Sequence, residues 1–251
     1  MSDESAVVQF RHTIFQSSLM TALLDGIYDG EISVGELLGH GNFGLGTFDA
    51  LDGEMIILDG ICYQVRSDGC AQRAQLHQRS PFALATNFVP RIVHAAPAGL
   101  RRNELSEFVS SILPSQNYMY AVKIHGFYRQ VTVRTVTKQS RPYPPMMQAI
   151  NDDAEVIFNN IAGTIVGFRT PIYEKGIGVP GCHSHFIDDE RTHGGHILDF
   201  IIEHGQVEVC PGTDLQLHLP LTPEFSRANL APNDLDHQIH HTEVKSSTES
   251  K

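Results

Sequence analysis

The chain has 251 residues, of which 41% are hydrophobic and 19% charged, with 21 Gly and 13 Pro. That composition excludes wholesale disorder and leaves ample length to bury a core around an enclosed site. A formal net charge of -11 argues against a nucleic-acid partner, which needs clustered Lys and Arg, and it means that an anionic substrate must meet positive charge supplied locally by a metal or an arginine.

Residues Met1 to Arg11 carry early acids and no basic segment leading into a long apolar run, so no signal peptide is expected there. No apolar stretch reaches the length of a membrane span, and no membrane partner is expected. Cys62, Cys70, Cys182 and Cys210 are scattered without a CxxC, which fits reduced thiols and a cytoplasmic location.

Ser17 or Ser18 can cap a helix in which Leu19, Leu23 and Ile27, with Met20 and Leu24, fall at helical spacing before Gly26 and Gly30 interrupt it; these apolar residues read as core. The stretch Gly39 to Gly44 matches GxGxxG literally, but it neither follows a clear strand nor opens a helix, so it reads as a loop. From Gly46 to Val65, short apolar runs separated by Asp52-Gly53 and Asp59-Gly60 predict a strand meander. Asn103 to Leu113 predicts an amphipathic helix, and Tyr118 to Thr137 predicts two strands around Gly126. Pro142, Pro144 and Pro145 mark an internal boundary, followed by a helical stretch to about Asn160 and a strand from Ile161 to Phe168. Further strands are expected in HILDFIIEHG and QVEVCPGTDLQLHLP, and His237 to Lys251 reads as a mobile tail unless a ligand or the core orders it.

The chemistry concentrates in GCHSHF. On a strand, His183 and His185 point to one face and form a ready metal clamp, while His196, after the turn-rich IDDERTHGG, can return a third imidazole opposite them. Three neutral imidazoles with an open position suit a catalytic zinc; a structural zinc would be closed by a fourth ligand, and Cys182 faces the wrong way for that role. The bland alternative is a set of unrelated surface or core histidines. HxH with Glu190 also approaches the cupin metal motif, although Ile177 and Ile197 stand where that motif has glycines, and cupin is the runner-up. A structural zinc module serving protein interaction is a third reading. No GxSxG, GxxxxGK[ST] or HExxH is present.

Taken together, GTFDALDGEMIILDGICYQV (46–65), VTVRTV around Arg134, GCHSHFIDDERTHGGHILDF, the early LLDGIYDGE and the late TEV resemble the alpha-acetolactate decarboxylases over nearly the whole chain. The resemblance implies a mixed α/β (α+β) fold of two packed subdomains, about 8–145 and 146–234, with mixed sheets, flanking helices and the three-histidine zinc site on the C-terminal β part. Residues 8–234 would form one catalytic unit, and the tail at 235–251 would fold over the active site. It implies His183, His185 and His196 as zinc ligands, Glu54, Arg134 and Glu243 as catalytic residues, and Thr47 with Arg134 at the substrate. The implied reaction is decarboxylation of (S)-2-acetolactate to (R)-acetoin and CO2, in the formation of acetoin and 2,3-butanediol by a homodimer.

Overall fold

The computed structural model describes residues 11–150 and 155–243. Among the described residues a seven-stranded sheet, a five-stranded sheet, a two-stranded ribbon and six α-helices make a mixed α/β architecture, as the sequence reading expects. The first sheet takes its strands mainly from the N-terminal third: β1 (Thr13–Ser17), β3 (Phe43–Thr47), β4 (Glu54–Leu58), β5 (Ile61–Val65), β6 (Ala71–Arg73) and β8 (Ala83–Thr86), with β2 (Ile32–Ser33) and β7 (Arg79–Ser80) paired beside it. The second contains β9 (Ile92–Ala95), β10 (Met119–Arg134), β11 (Glu155–Thr170), β12 (Gly181–Asp188) and β13 (Gly194–Gly212). The last strand, β14 (Asp214–His218), returns to the first sheet parallel to β1. The helices are α1 (Met20–Leu24), α2 (Val34–His40), α3 (Arg102–Ile112), α4 (Met146–Ala149), α5 (Pro223–Arg227) and α6 (Leu235–Glu243).

Period-two alternation decides which residues each sheet buries. On β4, Met55 and Ile57 pack toward α2 residues Val34 and Leu37, whereas Ile56 and Leu58 pack into the core between the two sheets. That shared core also takes Phe43 and Leu45 from β3, Val166 and Phe168 from β11 and Ile187 from β12. A second core belongs to the long-stranded sheet. There β10 pairs with both β11 and β13, and β12 bridges those two, so these strands close into a ring around Tyr128, Phe186 and Phe200. Tyr128 is fully buried, donates its hydroxyl to Ile124 O at 2.8 Å, and meets Phe186 and Phe200 edge-on at 5.5 and 5.9 Å.

Several local expectations change. Asp59 and Gly60, both at positive φ, make the β4–β5 turn as read, but Asp52-Gly53 ends a longer loop in which Ala50 and Leu51 are left-handed. The cap of α1 is Leu19, because Ser18 sits at φ 64 and Ser17 belongs to β1. Gly126 does not divide its strand: it faces Gly205 across the β10–β13 ladder, where a Cβ would meet His204 O at 2.4 Å, so the glycine pair permits close approach without a break. The helix expected to run to about Asn160 is only Met146–Ala149; from Glu155 the chain is β11, whose ladder with β10 overrides local helical propensity. The proline cluster at 142–145 therefore joins two strands of one sheet, and the sheets change along the chain between β8 and β9 instead. Finally, the expected tail is helical through Glu243, with Ile239 buried in the shared core; residues 244–251 lie outside the described residues.

Because Phe200 fills the centre of the closed ring, Phe200→Ala is expected to cost about 3–5 kcal/mol. Urea unfolding checks this, and an unchanged midpoint would show that the ring is not the stabilising core.

Candidate metal centre and active site

On β12, Cys182 and Phe186 face the ring core, which turns His183, His185 and Ile187 toward the first sheet. The third imidazole arrives by a less obvious route. Along β13, Ile202 and Phe200 face the ring interior, and an unbroken strand would send His196 there too. Instead the register slips between Thr132↔Asp199 and Val133↔Ile197, an extra residue on β13 that reverses the alternation. Ile197 then faces the ring and His196 faces the first sheet, directly opposite Arg134 and His185 on its two neighbours.

The three rings form a nearly equilateral triangle, with centroids 5.2, 5.2 and 5.4 Å apart, and their ligand atoms lie within 4.8 Å of one another. Burial pushes the pKa of His183 and of His185 down to about 3, helped at His183 by Arg102 and Arg134; burial also holds His196 well below its usual range. All three are therefore neutral near pH 7, the protonation state a metal requires. His185 Nδ1 donates to Met55 O at 2.9 Å, which fixes the tautomer and aims the Nε2 lone pair into the cluster. That Nε2 is buried without a hydrogen-bond partner, as is Glu243 Oε2. Neutral imidazoles with an orphaned, correctly directed nitrogen fit a divalent metal, since an unpaired buried acceptor is otherwise costly.

Two carboxylates flank the triangle from opposite sides. Glu54, at the start of β4 and on the same face as Ile56 and Leu58, places Oε2 3.4 Å from His185 Nε2. Glu243, the last residue of α6, places Oε2 3.4 Å from His183 Nε2 and 3.9 Å from His196 Nε2. Burial raises the pKa of the Glu243 carboxyl, with Arg134 opposing the effect. Thr47 is the direct cross-strand partner of Glu54 and donates its hydroxyl to Gly53 O at 2.8 Å. Arg134 donates from Nη2 to Thr242 O.

The structure thus brings together all seven residues singled out in the sequence, around a cavity of about 370 Å³ including space open to solvent. Sequence reasoning missed its apolar wall: Met20 and Leu23 of α1, Leu51, Phe82, Val136 and Met146. Met20 and Leu23 were legible only as helix-spaced core residues, and nothing local distinguishes a core wall from a pocket wall. Glu190, the carboxylate of the cupin reading, is exposed in the β12–β13 turn and lies outside the histidine group.

A buried cavity in which three neutral imidazoles, two carboxylates and a guanidinium converge defines an enzyme with a candidate metal centre. Comparison with known proteins narrows this. A model of the family described as "Alpha-acetolactate decarboxylase" matches residues 14–232. The chain is 44% identical over 230 residues to the alpha-acetolactate decarboxylase of Bacillus subtilis strain 168, covering 92% of this chain and 90% of that one, and 42% identical over 230 residues to the Klebsiella aerogenes protein, covering 92% and 88%. The crystal structure of the Bacillus subtilis strain 168 protein superposes with a TM-score of 0.90 over 92% of this chain and 99% of that one. The chain belongs to the alpha-acetolactate decarboxylase family, whose members are carboxy-lyases.

Removing one imidazole should weaken metal binding by more than the roughly 10–100-fold that losing an outer partner costs. Elemental analysis of His183→Ala after gel filtration tests this; a full equivalent of metal retained would rule the cluster out as the metal centre.

Proposed function

We propose that the chain is a zinc-dependent lyase that converts (S)-2-acetolactate to (R)-acetoin and CO2, in the formation of acetoin and 2,3-butanediol. The observation that carries this reading is the convergence of Arg134, Glu54 and Glu243 on three neutral imidazoles in one small pocket of a chain from this family. Residues 8–234 act as one catalytic unit, completed by the tail that begins at 235. A cytoplasmic homodimer accompanies the reading; the free state of all four cysteines is consistent with a reducing compartment.

The substrate carries a carboxylate on a hydroxyl-bearing carbon next to a ketone. When the bond to the carboxylate breaks, CO2 departs and its electron pair moves into the ketone, leaving an enediolate that must gain one proton at carbon. Zinc held by His183, His185 and His196 would supply Lewis-acid stabilisation of the negative charge that develops on the substrate oxygens. Arg134 provides positive charge at the pocket wall of a chain whose net charge is -11, and its planar fork suits a carboxylate or oxyanion. Thr47 shapes the same wall beside Glu54. With its hydroxyl hydrogen given to Gly53, its oxygen faces the pocket only as an acceptor.

Glu54 from strand β4 and Glu243 from helix α6 approach different rings of the cluster, so a proton delivered by one of them reaches one face of the planar enediolate and yields a single enantiomer. The raised pKa of Glu243 suits the donor role, because a carboxyl must hold its proton to give it. The apolar wall of Met20, Leu23, Leu51, Phe82, Val136 and Met146 excludes water from the opposite side and accommodates the methyl groups.

The test is anaerobic incubation with racemic 2-acetolactate, following CO2 and acetoin, with a chelator-stripped control. Zinc-dependent acetoin is expected. Arg134→Ala should lower kcat/KM by about 10²–10³-fold, and Glu54→Gln should fall within the roughly 10²–10⁴-fold range of acid–base groups. No product from protein that retains its zinc would overturn the lyase reading.

A further inference from the structure

Arg102 begins α3 and lines no part of the pocket. It is nevertheless tied to the strand that carries His196. Its main-chain N–H donates to Asp199 Oδ1 at 3.4 Å, three residues past His196. The chain just before it pairs with β13, through Gly99 N–H to Ile202 O at 2.8 Å and Ile202 N–H to Leu100 O at 3.1 Å. From this fixed base the side chain crosses to the end of α6, where Nη2 donates to Glu243 O at 2.9 Å.

In the last described turn of α6 two consecutive carbonyls each receive a guanidinium: Thr242 O from Arg134 and Glu243 O from Arg102. Both arginines are referenced to β13, Arg134 by direct register with His196 and Arg102 through Asp199. Arg102 is itself desolvated, and the Glu243 charge is the largest effect opposing that burial. Desolvating a guanidinium is costly unless it is paired or hydrogen-bonded, and here its side chain donates to the Glu243 carbonyl.

We propose that Arg102 is a positioning residue: by clamping the Glu243 main-chain carbonyl to the frame that carries His196, it holds the Glu243 carboxylate over the edge between His183 and His196. Arg134 touches the pocket and also holds the helix, so its loss confounds two roles. Arg102 does not line the pocket; its charge also acts on His183 and Glu243, and the exchange measurement below reads its helix-holding role separately from that charge. The kinetic arm below rests on the lyase reading; the exchange arm does not.

The experiment uses the full-length, zinc-loaded protein and its Arg102→Ala, Arg102→Lys, Glu243→Gln and Arg102→Ala/Glu243→Gln variants. Hydrogen exchange of amides 239–243 should quicken by about tenfold or more in Arg102→Ala, as local opening becomes easier, and Arg102→Lys should recover part of it. Unchanged exchange overturns the clamp; if Arg102→Ala does not fold, the same criterion applies to an Arg102→Met variant, which keeps the apolar stem and removes every donor. Turnover of 2-acetolactate by Arg102→Ala should fall on the order of 10–100-fold in kcat, with KM little changed and zinc content intact, as a carboxylate displaced by about an ångström implies. In the Glu243→Gln background the same substitution should cost little more. A full additional loss there means that Arg102 acts elsewhere, and the proposal falls. A wild-type protein inactive on 2-acetolactate overturns the lyase reading while the exchange result still decides the clamp.

Discussion

Three imidazoles wedged between two β-sheets impose the condition that the rest of the site has to meet, because each of them can keep only one ring proton there and stays neutral. Burial lowers all three pKa values, with nearby guanidinium charge acting in the same direction, so the nitrogens present lone pairs. A lone pair in a dry interior needs a partner. His185 shows this most sharply, with Nδ1 spent on Met55 O and Nε2 left without a hydrogen bond. The same main-chain carbonyl belongs to β4, the strand that opens with Glu54, so one hydrogen bond sets the register between the two sheets at the place where their functional groups meet.

The strongly acidic chain must build its positive charge by placement. Of its 18 Lys and Arg residues, Arg134 and Arg102 are brought to the last described turn of α6, where they donate to the helix carbonyls and their charge acts on the carboxylate that the helix delivers. The helix is a poor one by its own composition, polar and rich in histidine. It is held by Ile239 in the shared core and by the two guanidinium contacts at its end. Placement of Glu243 beside the histidines is thus a property of tertiary contacts, and the low intrinsic stability of the segment makes those contacts decisive.

Much of the fold was legible because much of it is locally patterned. The hairpin at Asp59-Gly60 follows from two residues that tolerate positive φ, and α3 falls within one residue of the span its apolar spacing predicts. Where non-local pairing competed with local preference, pairing won. The residues after Ala149 read as helix, yet from Glu155 they form a strand because β10 offers a full ladder; Gly126 reads as a break, yet its absent side chain lets two backbones pass. The pocket's apolar wall was invisible for the opposite reason, since burial against a ligand and burial against a neighbour demand the same residues.

The sequence by itself determined the donor chemistry and half of the geometry: which imidazoles are available, and that His183 and His185 share a face, because strand alternation is a local property two residues long. Only the tertiary structure decided that His196 joins them, since the extra residue that reverses β13 is defined by its partner strand β10. Stacking of the sheets likewise decided that Glu54 and Thr47 look into the cluster, and docking of α6 decided that Glu243 closes it. Side-chain identity is written in the chain; the meeting of groups separated by more than a hundred residues depends on the summed burial and hydrogen bonding of everything between them.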